Sequence, residues 1–191
     1  WKNRIVVRKS DNIYNQSLIA SLIQNNGKDK VNKWLNNFIS NFARSPKGND
    51  RAQILAVAAG EADIAIANTY YYALMISGKK GEEQREAAKK VSPFFPNQND
   101  RGTHINISGV GILKNSPNPN NALKLIEFLL TKEAQEHIVK NTFEYSILEN
   151  VRSHELIESM GDFKQDLDTP IAEVINHQAD AFKLMLISGW K

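Results

Sequence analysis

The sequence predicts an α/β fold built on a largely parallel sheet, and three observations carry that expectation. Short β-branched runs alternate with helical patterns along the 191 residues. Glycine, asparagine and proline punctuate the joins between them. The clearest helix has apolar residues at Val31, Trp34, Leu35, Phe38, Ile39 and Phe42, offsets of 0, 3, 4, 7, 8 and 11 that fall on one helical face. In chain order, Arg4 to Arg8 reads as a short buried strand because Ile5, Val6 and Val7 are β-branched. A polar stretch holding Tyr14 follows as a loop. Ser17 then caps a helix that Gly27 stops. Asp29 opens the striped helix, and Ser45-Pro46-Lys47-Gly48 breaks it. Asp50 caps a third helix ending at Gly60, and Asp63 to Ala67 forms a second strand. Asn68 and Thr69 cap the helix that carries Tyr70, Tyr71 and Tyr72. Val91 to Phe95 and His104 to Leu113 read as further strands. Pro119 sits well for a helix start. Residues from Phe143 to Val151 read as irregular, and the tail from Thr169 to Ser188 as one or two helices with Val174, Ile175, Ala181, Phe182 and Met185 on the apolar side.

Composition narrows the function classes. Apolar residues make up 41% of the chain and charged residues 24%, so enough apolar surface exists to offset chain entropy and exclude disorder. The net charge of +3 is too small to suggest a nucleic-acid partner, and the basic residues Lys2, Arg4, Arg8 and Lys9 read as a solvated strand edge. No apolar run approaches the roughly 18 residues of a membrane span. With no cysteine, thiol nucleophiles, disulfides and cysteine-held metals are excluded.

Parallel sheets bind ligands at the carboxyl ends of their strands, beside helix N-termini. That rule points to the loop after Arg8 and the loop after Ala67. The second holds Asn68-Thr69-Tyr70-Tyr71-Tyr72. A free tyrosine has a pKa near 10, so ionisation at neutral pH needs a strong cation. A helix N-terminus favours the anion, and a trivalent metal supplies the rest. Phenolate is a hard oxygen donor suited to ferric iron. Spacing alone favours amphipathic packing groups with their hydroxyls at the surface, and a cation–π cage is a further reading. Tyr14 lies in the other loop, aimed at the same sheet edge, so convergence with Tyr70 and Tyr71 is geometrically possible, although spacing alone does not establish it. His104, His137, His154 and His177 are widely spaced and form no HxH or HExxH pattern, with His104 alone at a strand start. Glu82 and Glu83 read as solvated surface. No nucleophile–base or phosphate-loop frame is present, so an enzyme is not expected.

Four segments together resemble a known family: NIYNQSL around Tyr14, GEADIAIANTYYY from Gly60 to Tyr72, FFPNQNDRGTHINISGVGILKNSPN from Phe94 to Asn118, and EFLLTKEAQE from Glu127 to Glu136. They look like the periplasmic ferric-ion-binding proteins, the substrate-binding components of bacterial iron(III) ABC transporters, and in particular their tyrosine-rich branch. The resemblance runs from Trp1 to about Val151. It implies a two-lobed, periplasmic-binding-protein-like fold that closes on Fe(3+) in an interlobe cleft and delivers it to a permease at the inner membrane. Tyr70 and Tyr71 match the family's paired ligands, Tyr14 matches the additional tyrosine, and Tyr72 lies beyond the pair as a packing residue. Asn68 matches a position that helps hold a synergistic anion such as carbonate, phosphate or citrate. The same scaffold also serves polyamines, thiamine and organic or phosphate anions, which stands as the alternative reading.

Two departures follow from the same resemblance. Family members have roughly another lobe's worth of chain before the position of Trp1, so this chain reads as a C-terminal portion whose missing N-terminal lobe would supply further ligands. Residues 1–100 are then part of the C-terminal lobe, 101–151 a segment returning to the N-terminal lobe, and 152–191 C-terminal-lobe helices. The returning segment would expose apolar surface meant for that lobe. Ser146 stands where the family typically has proline.

Overall fold

A computed structural model describes residues 1–191. The chain divides into two compact units, residues 1–106 with 163–191, and residues 107–162. The first unit is built around two adjacent parallel strands, β1 (Ile5–Val6) and β2 (Ile64–Ala65), with Ile5 opposite Ile64 and Val6 opposite Ala65. Ile5, Val6 and Val7 are all buried, which is what a central strand asks of β-branched residues. The other edge of β1 is also occupied: the Ile5 N–H donates to the Asn41 carbonyl at 3.0 Å, and Ala43 N–H donates to the Ile5 carbonyl at 2.8 Å.

Three helices separate the strands: α1 (Ile13–Asn26), α2 (Lys28–Ile39) and α3 (Asp50–Ala58). After β2 come α4 (Thr69–Ile76) and α5 (Glu82–Ala88). Helix α1 begins four residues before the expected Ser17. Asn12 is its cap, accepting the Asn15 N–H, so Tyr14 lies on the first helical turn and not in a loop. Asn49, one residue before Asp50, caps α3 by accepting the Ala52 N–H at 3.1 Å, which frees the Asp50 side chain for another use. On α2, Val31 and Leu35 are fully inside, and Phe38 and Ile39, with Phe42 just beyond the helix end, pack against the same core. Trp34 is 41% exposed and stacks flat on Phe38, ring centroids 4.6 Å apart.

The second unit holds α6 (Pro119–Leu129), α7 (Lys132–Thr142) and the single turn α8 (Glu155–Glu158). Its buried residues are the apolar Ala134, Val139, Phe143, Val151 and Ile157 and the polar Gln135. Pro119 opens α6 as expected, yet no α6 residue is buried. Ser146, the departure from proline, accepts the Leu148 N–H at 2.9 Å and donates to the Gln135 side chain at 3.2 Å, so its hydroxyl organises the irregular segment after α7.

The tail returns to the first unit as α9 (Ile171–Val174), a 3-10 turn over Ile175–His177, and α10 (Gln178–Ile187). Val174, Ala181, Met185 and Trp190 enter the core around α1 and α2, while Ile175 faces solvent. Trp190 is fully buried, and its indole N–H donates to the Arg8 carbonyl at 2.7 Å. The C-terminus thereby fixes the end of β1.

The expected strands at Val91–Phe95 and His104–Leu113 do not form. A strand exists only by pairing, and residues 106–113 are exposed with no neighbouring strand in the chain. A lone parallel bridge joins Thr103 to Gln165.

Candidate metal centre

The two switch-point loops converge because their strands are neighbours. Chain leaving β1 reaches Arg8 and then the first turn of α1. Chain leaving β2 reaches Asn68 and the first turn of α4. Tyr14 is the second residue of α1, and Tyr70 and Tyr71 are the second and third of α4. Side chains on a first turn tilt toward the helix start, which brings both sets to the carboxyl edge of the sheet.

The result is a cluster of three half-buried phenols. The Tyr70 hydroxyl donates to the Tyr14 hydroxyl at 3.0 Å. The Tyr70 and Tyr71 rings lie against each other, centroids 4.3 Å apart and inclined by 33°. Burial first, then the hydrogen bonds with Tyr14 and Tyr71, pushes the Tyr70 phenol far above its ordinary pKa. Without a cation the group therefore keeps its proton. Tyr71 and Tyr72 both pack on the cluster of Ile54, Met75 and Ala88, but the Tyr72 hydroxyl turns away and donates to the Val91 carbonyl at 3.3 Å.

Asn68 caps α4 by its backbone position alone, since its side chain makes no cap bond. Its Nδ2 donates instead to Asp50 Oδ1 at 3.2 Å, and its Oδ1 accepts from Asn106 Nδ2 at 2.9 Å. The Asn68 backbone N–H also donates to Asp50 Oδ1, at 2.9 Å. Asp50 is nearly fully buried and pairs with the guanidinium of Arg8.

Arg8 corrects the expectation of a solvated basic edge. Its side chain is only 20% exposed, and its guanidinium carbon lies 5.7 Å from the centre of the Tyr14 ring. Burial opposes the Arg8 charge, but the bond to Asp50 and the weaker one to Tyr71 outweigh it and raise the pKa. In the sequence, Arg8 and Asp50 each read as a local feature, a strand-edge charge and a helix cap. The available signal is position: Arg8 closes the expected strand Arg4–Arg8, whose carboxyl end the binding rule selects.

The histidines lie apart from one another. His104 Nε2 bonds Ser17 Oγ at 3.1 Å, and burial above all lowers its pKa. His154 caps α8, and His177 bonds Gln24 at 2.7 Å. No group of three histidine, aspartate or glutamate residues is placed to hold a metal ion. Oxygen donors for a hard cation are concentrated at the tyrosines.

The family model of the bacterial extracellular solute-binding proteins matches residues 1–160. Iron uptake protein A1 of Synechocystis sp. is 45% identical over the whole chain, which spans 52% of that protein's length. The major ferric iron-binding protein of Neisseria meningitidis is 26% identical, again over the whole chain and 55% of the relative. Among solved structures, a Trichodesmium IdiA/FutA protein in complex with iron and citrate superposes with a TM-score of 0.95 at 48% identity, matching 100% of this chain and 60% of its own. The ferric binding protein of Campylobacter jejuni gives 0.94 at 35%, with the same coverage. The chain thus spans about half the length of the curated relatives it matches, and its fold is part of their larger two-lobed fold.

Proposed function

This chain belongs to the bacterial extracellular solute-binding protein family, and from that premise we propose that it binds ferric iron through Tyr14, Tyr70 and Tyr71 for delivery to an ABC permease. One observation carries the reading: two helix N-termini from adjacent parallel strands bring the Tyr14 and Tyr70 hydroxyls to 3.0 Å. Three phenolates carry three negative charges and match a trivalent cation. Both helix starts add partial positive charge, which favours phenolate over phenol. Iron-binding and iron-uptake relatives on the same fold support the choice of metal. The chain is then a carrier and not an enzyme, and its site of action is the periplasm.

Asn68, beside the tyrosines and already braced by Asp50 and Asn106, is the residue that would contact a synergistic anion. Citrate is the first to test, since the Trichodesmium structure contains it. The segment expected to return to a second lobe, 101–151, overlaps the unit 107–162 over most of its length, and we take its exposed apolar residues as the surface that lobe would cover. Ile107, Val110, Leu113, Leu123 and Phe128 are each at least 48% exposed there. Polypeptide equivalent to the relatives' remaining length would cover them and add further ligands.

A visible absorption spectrum recorded during ferric citrate titration at neutral pH tests the site. The expected result is a saturable phenolate-to-iron charge-transfer band that disappears on acidification, because the ligands must be deprotonated to bind. Tyr71→Phe should weaken binding by more than the roughly 100-fold that loss of a merely supporting residue costs, with an unchanged circular dichroism spectrum. An unaltered titration would remove Tyr71 from the site.

A further inference from the structure

We propose that Arg8 is a positioning residue that pre-arranges the tyrosine ligands of α1 and α4 before metal arrives, with Asp50 as its anchor. The proposal rests on the reading that these tyrosines hold ferric iron. Tyr14 and Tyr71 lie 57 residues apart in sequence on different helices, so nothing local fixes one against the other. Arg8 touches both sides. Its guanidinium lies over the Tyr14 ring at 5.7 Å and pairs with Asp50. The same Asp50 accepts both the backbone N–H and the side-chain amide of Asn68, the residue that starts α4. One buried carboxylate therefore ties the cation under Tyr14 to the helix bearing Tyr70 and Tyr71.

The rest of the surroundings hold Arg8 itself still. Its carbonyl accepts from the Trp190 indole at 2.7 Å and from Asn15 Nδ2 at 3.3 Å, so its backbone is clamped by the C-terminus and by α1. A rigid planar guanidinium with several donors suits this bridging task better than a lysine ammonium. Partners of this kind around metal ligands orient them and typically change metal affinity by roughly 10- to 100-fold.

The test compares wild type with Arg8→Met, Arg8→Lys and Asp50→Asn, using chain with labelled tyrosine rings. In the metal-free protein, nuclear Overhauser contacts between the Tyr14 and Tyr70 rings should be present in wild type. They should be lost in Arg8→Met and Asp50→Asn, and partly kept in Arg8→Lys. Ferric affinity should fall roughly tenfold to a hundredfold in Arg8→Met. Its charge-transfer band should move to longer wavelength, because removing a nearby cation raises the phenolate energy, a change that a purely structural loss would not produce. Retention of the ring contacts in the folded variants overturns the proposal, and so does an affinity within about twofold of wild type. If Arg8→Met does not fold, Asp50→Asn decides by the same contacts. A wild type that shows no iron band defeats the ferric reading, and the ring contacts in the metal-free variants still decide whether Arg8 positions the tyrosines.

Discussion

At the scale of single residues, the protonation of Tyr70 governs how metal would enter. Burial and its two phenolic neighbours hold its pKa above the ordinary tyrosine value, so the metal-free residue carries a proton throughout the physiological range. Each phenol that becomes a ligand must lose that proton to solvent, roughly one per ligand. Iron loading should therefore release about one proton more in wild type than in Tyr70→Phe. The sign follows directly: affinity falls as pH falls, because protons compete with the metal. A lightly buffered indicator titration with one ferric citrate stock reads the difference between the two proteins, in which the proton exchange of citrate cancels. Equal release would exclude Tyr70 as a ligand. The tyrosines were legible in the sequence because three in a row at a strand-to-helix junction is unusual. Arg8 and Asp50 were not, since a charge beside a strand and an acid at a helix start both have common surface explanations. Only the 42-residue contact between them reveals that they form a buried pair.

Among the elements, the segment 97–106 determines what lies beside α1 and α4. Gly102 adopts φ +103°, and a Cβ there would sit 2.7 Å from the backbone of Lys164 and Gln165. Glycine alone allows that approach. Once seated, Thr103 N–H donates to the Lys164 carbonyl at 2.8 Å, and Asp166 N–H donates to the Thr103 carbonyl at 2.9 Å. His104 is then carried onto Ser17 of α1, and Asn106 onto Asn68. Burial lowers the His104 pKa below its ordinary value, despite the opposing pull of Asn106 and Asp166. The folded state thus binds a proton less readily than the unfolded chain. Its contribution to stability is complete above the unfolded pKa of about 6.5 and is lost as pH falls through that value toward the folded one. Urea unfolding at pH 7.5 and pH 5.5 should show a smaller pH effect in His104→Gln than in wild type; an identical drop would assign the loss to other groups. The strand expected at His104–Leu113, which leaves this segment, is where the strand reading failed. Its apolar alternation is real, but strand pairing is a tertiary property, and its pattern carries no information about which partner is present. The parallel pair β1 and β2 was legible because both partners lie in the chain, each followed by a capped helix.

For the whole molecule, the two units differ in how they satisfy their apolar residues. In residues 1–106 with 163–191, helices from both ends of the sequence close over β1, and Trp190 seals the core at full burial. In residues 107–162, α6 has its amphipathic pattern but buries nothing, and Leu113 is 81% exposed. Soluble chains seldom leave this many large apolar side chains in one stretch uncovered unless something binds them. The relatives are nearly twice as long as this chain, and we propose that further polypeptide of that kind packs on this stretch. Two measurements follow from that reading. This chain should enhance the fluorescence of an apolar dye in its folded state, and Leu113→Ser with Phe128→Ser should reduce it. Because both positions are exposed, the double variant should keep its unfolding free energy within about 0.5 kcal/mol per site. A chain extended to the relatives' length should lose most of the dye signal without any substitution, since the added polypeptide removes the same surface from water. If the extended chain binds dye as strongly as this one, the apolar stretch serves a different partner.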